Sequence, residues 1–353
     1  MEKQEILKLM KSRVVSDYLL EQASRDANFQ KGMTFGTGGV RAKVGIGSNK
    51  MNDVTVAKIY LDIVNYIKSV KKEESGVLIF FDTRHGSKHF AHLGAKIFKA
   101  KNINCELSTR ALPTPTLSYS VLRHKFFLGI VVTASHNPFT DIGIKVYNEF
   151  GNQITDNDLD KMQVHMDTES PEIVTVLNEL TNEENFSTDV YEDEYNEFIA
   201  NNFKSLEKRL ELDKIDLVYS PIHGVGKNVI PKLLSSFDFI NVNLVEQQMV
   251  GDGFFKTVDS PNPESLESFT YAFSKANKTK SEVVLLTDPD ADRLGSAESD
   301  GNDWRIFNGN ELGALFVAFL IEINWNNLNG FILSSVVSSD LTDKMAKANN
   351  LNF

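Results

Sequence analysis

The chain has 353 residues, 41% of them hydrophobic and 24% charged, with a formal net charge of -11. The acidic balance, with a pI near 5.2, argues against nucleic acid or an anionic membrane as partner, whereas local Arg and Lys can still serve an anionic substrate. One cysteine, Cys105, excludes an intrachain disulfide, and no run of about 18 apolar residues marks a membrane span.

The length gives a prior of two or three domains of roughly 100–200 residues each. Met1 to Arg13 is polar and amphipathic, without the apolar segment of a signal peptide, so a cytoplasmic protein is expected. Leu7, Met10, Val14, Tyr18 and Leu19 recur at helical spacing, and residues 1–31 are predicted helical. Residues 32–52 then read as a glycine-rich loop holding Arg41, where backbone N–H groups can approach a ligand closely. A helix is predicted over 53–75, with Asp53 as N-cap. Val77–Phe81 is a strand, 87–100 a helix and 103–107 a short strand; Pro113-Thr114-Pro115 punctuates the next helix. Leu128 to Val132 is a buried strand, ended by Thr133-Ala134-Ser135-His136-Asn137-Pro138. Lys145–Tyr147 and Gly151–Ile154 read as a short antiparallel pair.

The second unit opens with a helix near 191–209 and a strand over Leu212–Val218, followed by a turn around His223 and a helix to Leu234. Ile240–Val245 is the next strand, and Ser260-Pro261-Asn262-Pro263-Glu264 is read as the start of a helix. Val283–Leu286 is a strand feeding Asp288-Pro289-Asp290-Ala291-Asp292-Arg293. Glu298–Phe307 reads as a hairpin, Asn310–Ile323 as a helix, Phe331–Val337 as a strand and Ser339–Ala348 as a helix. The alternation predicts an α/β fold: consecutive mixed, largely parallel sheet domains flanked by helices, with a cleft between them. The expected domains are 1–185 with the serine loop, 186–307 with the acidic loop, and 308–353 as the start of an incomplete third.

Both polar loops follow apolar strands, where ligands of α/β proteins usually bind. Ser135 is a poor nucleophile unless a base or prior modification activates it. Phosphorylated, it gains three acceptor oxygens that can reach a metal, with His136 and Lys145 near enough to help with charge or protons. A polar turn capping the sheet explains the same residues. Asp288, Asp290 and Asp292 alternate, so three hard oxygen ligands can converge on Mg²⁺ or Mn²⁺, and Arg293 adds a fork for phosphate. A solvated acidic turn is the alternative. Arg41 favours a phosphate contact for the glycine loop, although turn glycines explain that loop nearly as well. His223, between a strand end and a glycine pair, is read either as a functional residue or as a hydrogen-bonded turn residue. His85, His89 and His92 are read as surface or packing residues, because no cysteine or carboxylate completes a metal set.

The motifs resemble the N-terminal two-thirds of the phosphohexomutase superfamily, the phosphoglucomutases and phosphomannomutases. Phe35-Gly36-Thr37-Gly38-Gly39-Val40-Arg41, Thr133 to Pro138, Asp288 to Arg293 and Asn308-Gly309-Asn310-Glu311 carry the resemblance, and Asp82-Thr83-Arg84, Gly143-x-Lys145 and His223-Gly224-x-Gly226 support it. It implies interconversion of hexose 1-phosphate and 6-phosphate through an enzyme phosphoserine and a bisphosphate intermediate. Ser135 would be the phosphoserine. Asp288, Asp290 and Asp292 would hold one Mg²⁺ together with a Ser135 phosphate oxygen. Arg41 and Lys145 match positions near the transferring group, Lys145 as a candidate acid/base, while His136 and Arg293 would orient and neutralise phosphate.

The form Asp-Pro-Asp-Ala-Asp-Arg looks most like the phosphoglucomutase and phosphopentomutase branch. Phosphomannomutase action, and a catalytically incomplete mutase with a regulatory or interaction role, are the other readings. Leakage of phosphate to water, a phosphatase activity, is a further one. Ala42, Lys50 and Ile142 stand where the family usually has Gly, Arg and Asn. The family's sugar-reading and phosphate-gripping loops lie beyond the stretch matched here, so the chain is expected to end where a third domain begins.

Overall fold

The computed structural model describes residues 32–33, 36, 39–155, 158, 162, 173, 176–177, 191–207, 213–323 and 332–351. The helix expected over 1–31 and the first domain's close near 185 lie outside these residues. Two five-stranded mixed sheets dominate. The first comprises β1 (Val40–Lys43), β2 (Val77–Phe81), β3 (Cys105–Leu107), β4 (Leu128–Val132) and β5 (Asp141–Asn148), in the order β1-β5-β4-β2-β3. Its helices are α1 (Asp53–Ser69), α2 (Ser87–Ala100) and α3 (Thr114–His124).

Strands β2 and β4 are buried along their whole length, because helices cover both faces. Alternate side chains therefore feed two cores. Ile79 and Phe81 join Ile130, Val132 and the apolar faces of α1 and α2. Leu78 and Phe80 join Val131, Leu117, Val121 and Tyr191 on the other side. Tyr191 opens α4 (Tyr191–Glu207), which packs on α3.

The second sheet comprises β6 (Ile215–Ser220), β7 (Ile240–Leu244), β8 (Val283–Thr287), β9 (Leu294–Ser299) and β10 (Trp304–Phe307), in the order β10-β9-β8-β6-β7. Helices α5 (Gly226–Leu234) and α6 (Thr270–Thr279) connect its parallel strands. Val218, Val284, Leu286 and Ala297 form its core with Phe269, Ala272 and Ala276. The two sheets share one plan. In each, three parallel strands are followed by an antiparallel fourth, and the polar loop lies between the last parallel strand and that fourth strand: β4 to β5 in one, β8 to β9 in the other.

Several expectations change. Within 32–52, Val40–Lys43 is a strand rather than loop, paired antiparallel with β5 so that Arg41 faces Gly143. Gly39 (φ +84°) serves this packing, since a Cβ there would meet the Ile144 carbonyl oxygen at 2.3 Å. Asn52, not Asp53, caps α1: its side chain accepts from the Val54 and Thr55 N–H groups, and Thr55 completes a capping box. The Lys145–Tyr147 segment belongs to the longer β5, whose principal partners are β4 and β1, leaving one bridge to Gln153 from the expected pair. The 260–264 segment stays irregular; a 3₁₀ turn at Leu266–Phe269 precedes α6.

After β10, a second capping box, Asn308 with Glu311, starts α7 (Gly309–Glu322), and α8 (Leu341–Ala348) packs against it. The strand expected at 331–337 does not form over its described part: 332–335 is irregular and 336–337 a turn. Among the described residues no strand lies beside it to supply a ladder.

Candidate active site

The serine loop is built by a tight turn at the end of β4. The Asn137 N–H donates to the Ala134 carbonyl (3.1 Å), and Ser135 adopts φ +53°, uncommon for a side chain other than glycine. The Thr133 hydroxyl accepts from the Ser135 N–H at 2.8 Å. Ser135 is buried, and its hydroxyl donates to Asp288 Oδ2 of the second unit at 2.9 Å. His136 Nδ1 lies 3.4 Å from the same hydroxyl.

The acidic loop turns in the same way at the end of β8: the Ala291 N–H donates to the Asp288 carbonyl, and Ala291 has φ +56°. Ligand oxygens of Asp288, Asp290 and Asp292 lie within 4.8 Å of one another. Asp288 Oδ1 accepts the N–H groups of Asp292 and Arg293, each at 3.1 Å. Lys145, almost fully buried on β5, donates to Asp290 Oδ2 (2.6 Å) and Asp292 Oδ2 (2.7 Å). Thr114, at the start of α3, donates its hydroxyl to Asp290 Oδ2 at 2.8 Å and its N–H to the Asp290 carbonyl at 3.0 Å.

Charge is distributed unevenly over these groups. Burial, then the neighbouring Asp290 and Asp292 carboxylates, push the Asp288 carboxyl well above its ordinary range. Burial acts on Asp290 in the same direction, but the Lys145 ammonium, together with hydrogen bonds from Lys145, Asp288 and Thr114, outweighs it and holds that carboxyl below its usual value. Burial disfavours the charged form of Lys145, yet Asp290 and Asp292 keep it an ammonium, with its pKa raised. Burial, with the positive charges of Arg293 and Arg41, pushes the His136 imidazole down, toward the neutral form.

A hard divalent cation fits this donor set. Three carboxylates converge, and no N–H donor among the described residues reaches the buried Asp290 Oδ1. Arg41, on β1, leans over the serine loop, with Nη1 3.5 Å from the Ala134 carbonyl and 3.4 Å from Asn137 Oδ1.

Ser135, His136, Lys145, Asp288, Asp290 and Asp292 thus form one connected network, with Arg41 touching the serine loop and the charge of Arg293 felt at His136. His223 takes the turn alternative: Nδ1 is 2.9 Å from the Val250 carbonyl and Nε2 2.8 Å from Thr257 Oγ1. His89 pairs with Asp53 at 2.7 Å, and the His85 ring packs against Phe254.

Two site residues carry no role in the sequence-based expectations. Thr114 figures there only as helix punctuation. Arg84 sits in Asp82-Thr83-Arg84, which supports the family resemblance and lies at the end of a parallel strand, but neither signal assigns it a role. Its buried guanidinium donates to the carbonyls of Ser135, Asn137 (2.6 Å), Pro138 (2.7 Å) and Asp141 (3.0 Å).

Comparison with known proteins agrees with this layout. The family description "Phosphoglucomutase/phosphomannomutase, alpha/beta/alpha domain I" matches residues 32–172, which hold the serine loop. The description of the same family's alpha/beta/alpha domain II matches 193–301, which hold the acidic loop. Phosphoglucomutase of Staphylococcus haemolyticus is 34% identical over 326 residues, covering 92% of this chain and 59% of the relative. That of Staphylococcus epidermidis is 33% identical over 346 residues, covering 96% and 63%. The chain therefore spans about 60% of the length of these relatives.

Among solved structures, a protein assigned as a phosphomannomutase from Thermus thermophilus shares the fold with a TM-score of 0.73 at 19% identity, covering 92% of this chain and 68% of that one. The open form of Paramecium parafusin, a phosphoglucomutase, gives 0.65 at 18%, covering 91% and 62%. With both loop-bearing domains matched and over half of the chain taken in, the chain belongs to the phosphoglucomutase/phosphomannomutase family, whose members are isomerases.

Proposed function

We propose that this chain carries the phosphoryl-transfer centre of a phosphoglucomutase-type hexose-phosphate mutase, with Ser135 as the phosphoryl carrier. The observation that carries this reading is the 2.9 Å contact from Ser135 Oγ to Asp288 Oδ2, which joins the two loops into one centre. Asp288, Asp290 and Asp292, with a Ser135 oxygen, would hold one Mg²⁺, which when bound supplies charge stabilisation for the transferring phosphoryl group.

Phosphorylated Ser135 gives its phosphoryl group to the free hydroxyl of a hexose 1-phosphate, leaving the serine hydroxyl and a hexose 1,6-bisphosphate. The bisphosphate turns over, and its 1-phosphoryl group passes back to Ser135 Oγ, releasing the hexose 6-phosphate. The chain's contribution is position and charge. The Lys145 ammonium, fixed by two carboxylates, compensates charge; its raised pKa keeps it protonated, so it serves as a fixed cation rather than as a proton donor or acceptor. Neutral His136, 3.4 Å from Ser135 Oγ, can accept the proton released when the serine attacks. Arg41 and Arg293 flank the loop as phosphate partners. The domain limits are proposed as 1–185, 186–307 and 308–353, and glucose phosphates are proposed as substrate from the named relatives.

Peptide mapping by mass spectrometry after incubation with glucose 1,6-bisphosphate and Mg²⁺ tests the reading. The phosphoryl group is expected on Ser135 and lost in Ser135→Ala. A mark elsewhere, or one unchanged in that variant, would overturn it.

A further inference from the structure

We propose that Arg84 is the positioning residue of the serine loop, imposing the left-handed backbone of Ser135 that turns its hydroxyl to Asp288. Four terminal guanidinium contacts reach four carbonyls spread over 135–141, and the Nε edge faces Asp82 Oδ2 at 3.2 Å. A planar fork with five donors matches this array, whereas a lysine ammonium has three donors and no plane.

The Ser135 backbone, at φ +53°, persists only where its surroundings over-determine it. Two of the four gripped carbonyls, those of Ser135 and Asn137, belong to the turn itself. Asp82 is in turn held by the Ser87 hydroxyl (2.6 Å), by the Arg84 N–H (3.0 Å) and by the Thr133 side chain, so the fork is anchored beside the ends of β2 and α2 as well as at the base of the loop it holds.

The second unit covers this grip. The Phe255 ring lies 5.0 Å from the guanidinium carbon, and Gly253 comes so close that a Cβ there would meet the His85 nitrogen at 2.4 Å. Arg84 therefore sits between the serine loop and the segment of the second unit that packs on it. Its hydrogen bonds go to carbonyls of the serine loop, while its charge is also felt at Asp290 and Asp288, so the backbone readout is the one that isolates its grip on the loop.

The consequence for phosphoryl transfer rests on the function proposed above, so two readouts separate the claims. Amide hydrogen exchange needs no activity: in Arg84→Lys, exchange over 133–141 is expected to rise at least about tenfold, with exchange in β4 and β2 unchanged. Loading from labelled glucose 1,6-bisphosphate is expected to slow by about 10²-fold, the scale of a small misplacement of a reacting group. Guanidinium ion added to Arg84→Ala is expected to restore part of the loading, which a general loss of stability would not allow. The double variant Asp82→Asn/Arg84→Gln, which removes both buried charges, covers the case in which a single change unfolds the chain, and the same two changes are expected of it. Unchanged exchange over 133–141 in the folded variants overturns the proposal. So does loading at the wild-type rate. A wild-type chain that takes no label overturns the carrier function and leaves the exchange result to decide on Arg84.

Discussion

Asp288 and Lys145 hold opposite ends of one electrostatic balance. Lys145 is buried against Asp290, and removing one partner of a buried pair strands the other charge. Lys145→Met is expected to lower stability by about 3 kcal/mol in chelator, measured by urea unfolding, and by less with Mg²⁺, which can take over the neutralisation. Equal losses with and without Mg²⁺ would count against cation binding there. The Asp288 carboxyl, pushed up by burial and its acidic neighbours, must ionise to ligate a cation. Its pKa is high without the ion and low with it, so binding releases a proton, and affinity rises with pH until Asp288 is ionised. Calorimetry in two buffers of different ionisation heat reads this directly; a proton count of zero across the pH range of Asp288 ionisation would contradict it.

Among the elements, α1 shows how a start signal displaced by one residue changes the physics. Asn52 caps the helix and also donates from Nδ2 to the carbonyls of Gly45, Gly47 and Lys50, at 2.9, 3.0 and 3.2 Å, so it ties the 45–50 turn to the helix. Asn52→Ala is expected to cost about 1–2 kcal/mol, the value of a cap plus lost turn bonds, against about 0.5 kcal/mol for Asp53→Ala. Equal costs by thermal unfolding would return the cap to Asp53. The signal is present in sequence as Asn followed three residues later by Thr, but a neighbouring Asp competes for the same role. At 331–337 the apolar residues alone suggest a strand, whereas a strand also needs a neighbour's N–H and C=O groups, which no local pattern supplies.

At the scale of the molecule, the site lies where two similarly ordered sheets bring the ends of β4 and β8 together. Its chemistry is legible in sequence, because a serine at a strand end and carboxylates at alternate positions are local patterns. Ser135, Lys145 and the three aspartates meet as the motifs suggest. The alternation of strands and helices likewise points to the mixed α/β class. Arg84, Thr114 and Phe255 are not legible as parts of the site, because each acts across a gap that only the fold closes. The reading of β1 as loop fails for the same reason: its partner β5 follows about a hundred residues on, beyond any local window.

The central claim is that Ser135 and the acidic loop form a single phosphoryl-transfer centre, and ³¹P NMR of the Ser135-phosphorylated chain titrated with Mn²⁺ tests it most directly. One equivalent of Mn²⁺ is expected to broaden the phosphoserine resonance beyond detection in the wild-type chain and to leave it sharp in Asp290→Asn. A phosphoserine line that stays sharp while Mn²⁺ binds the wild-type chain would contradict it.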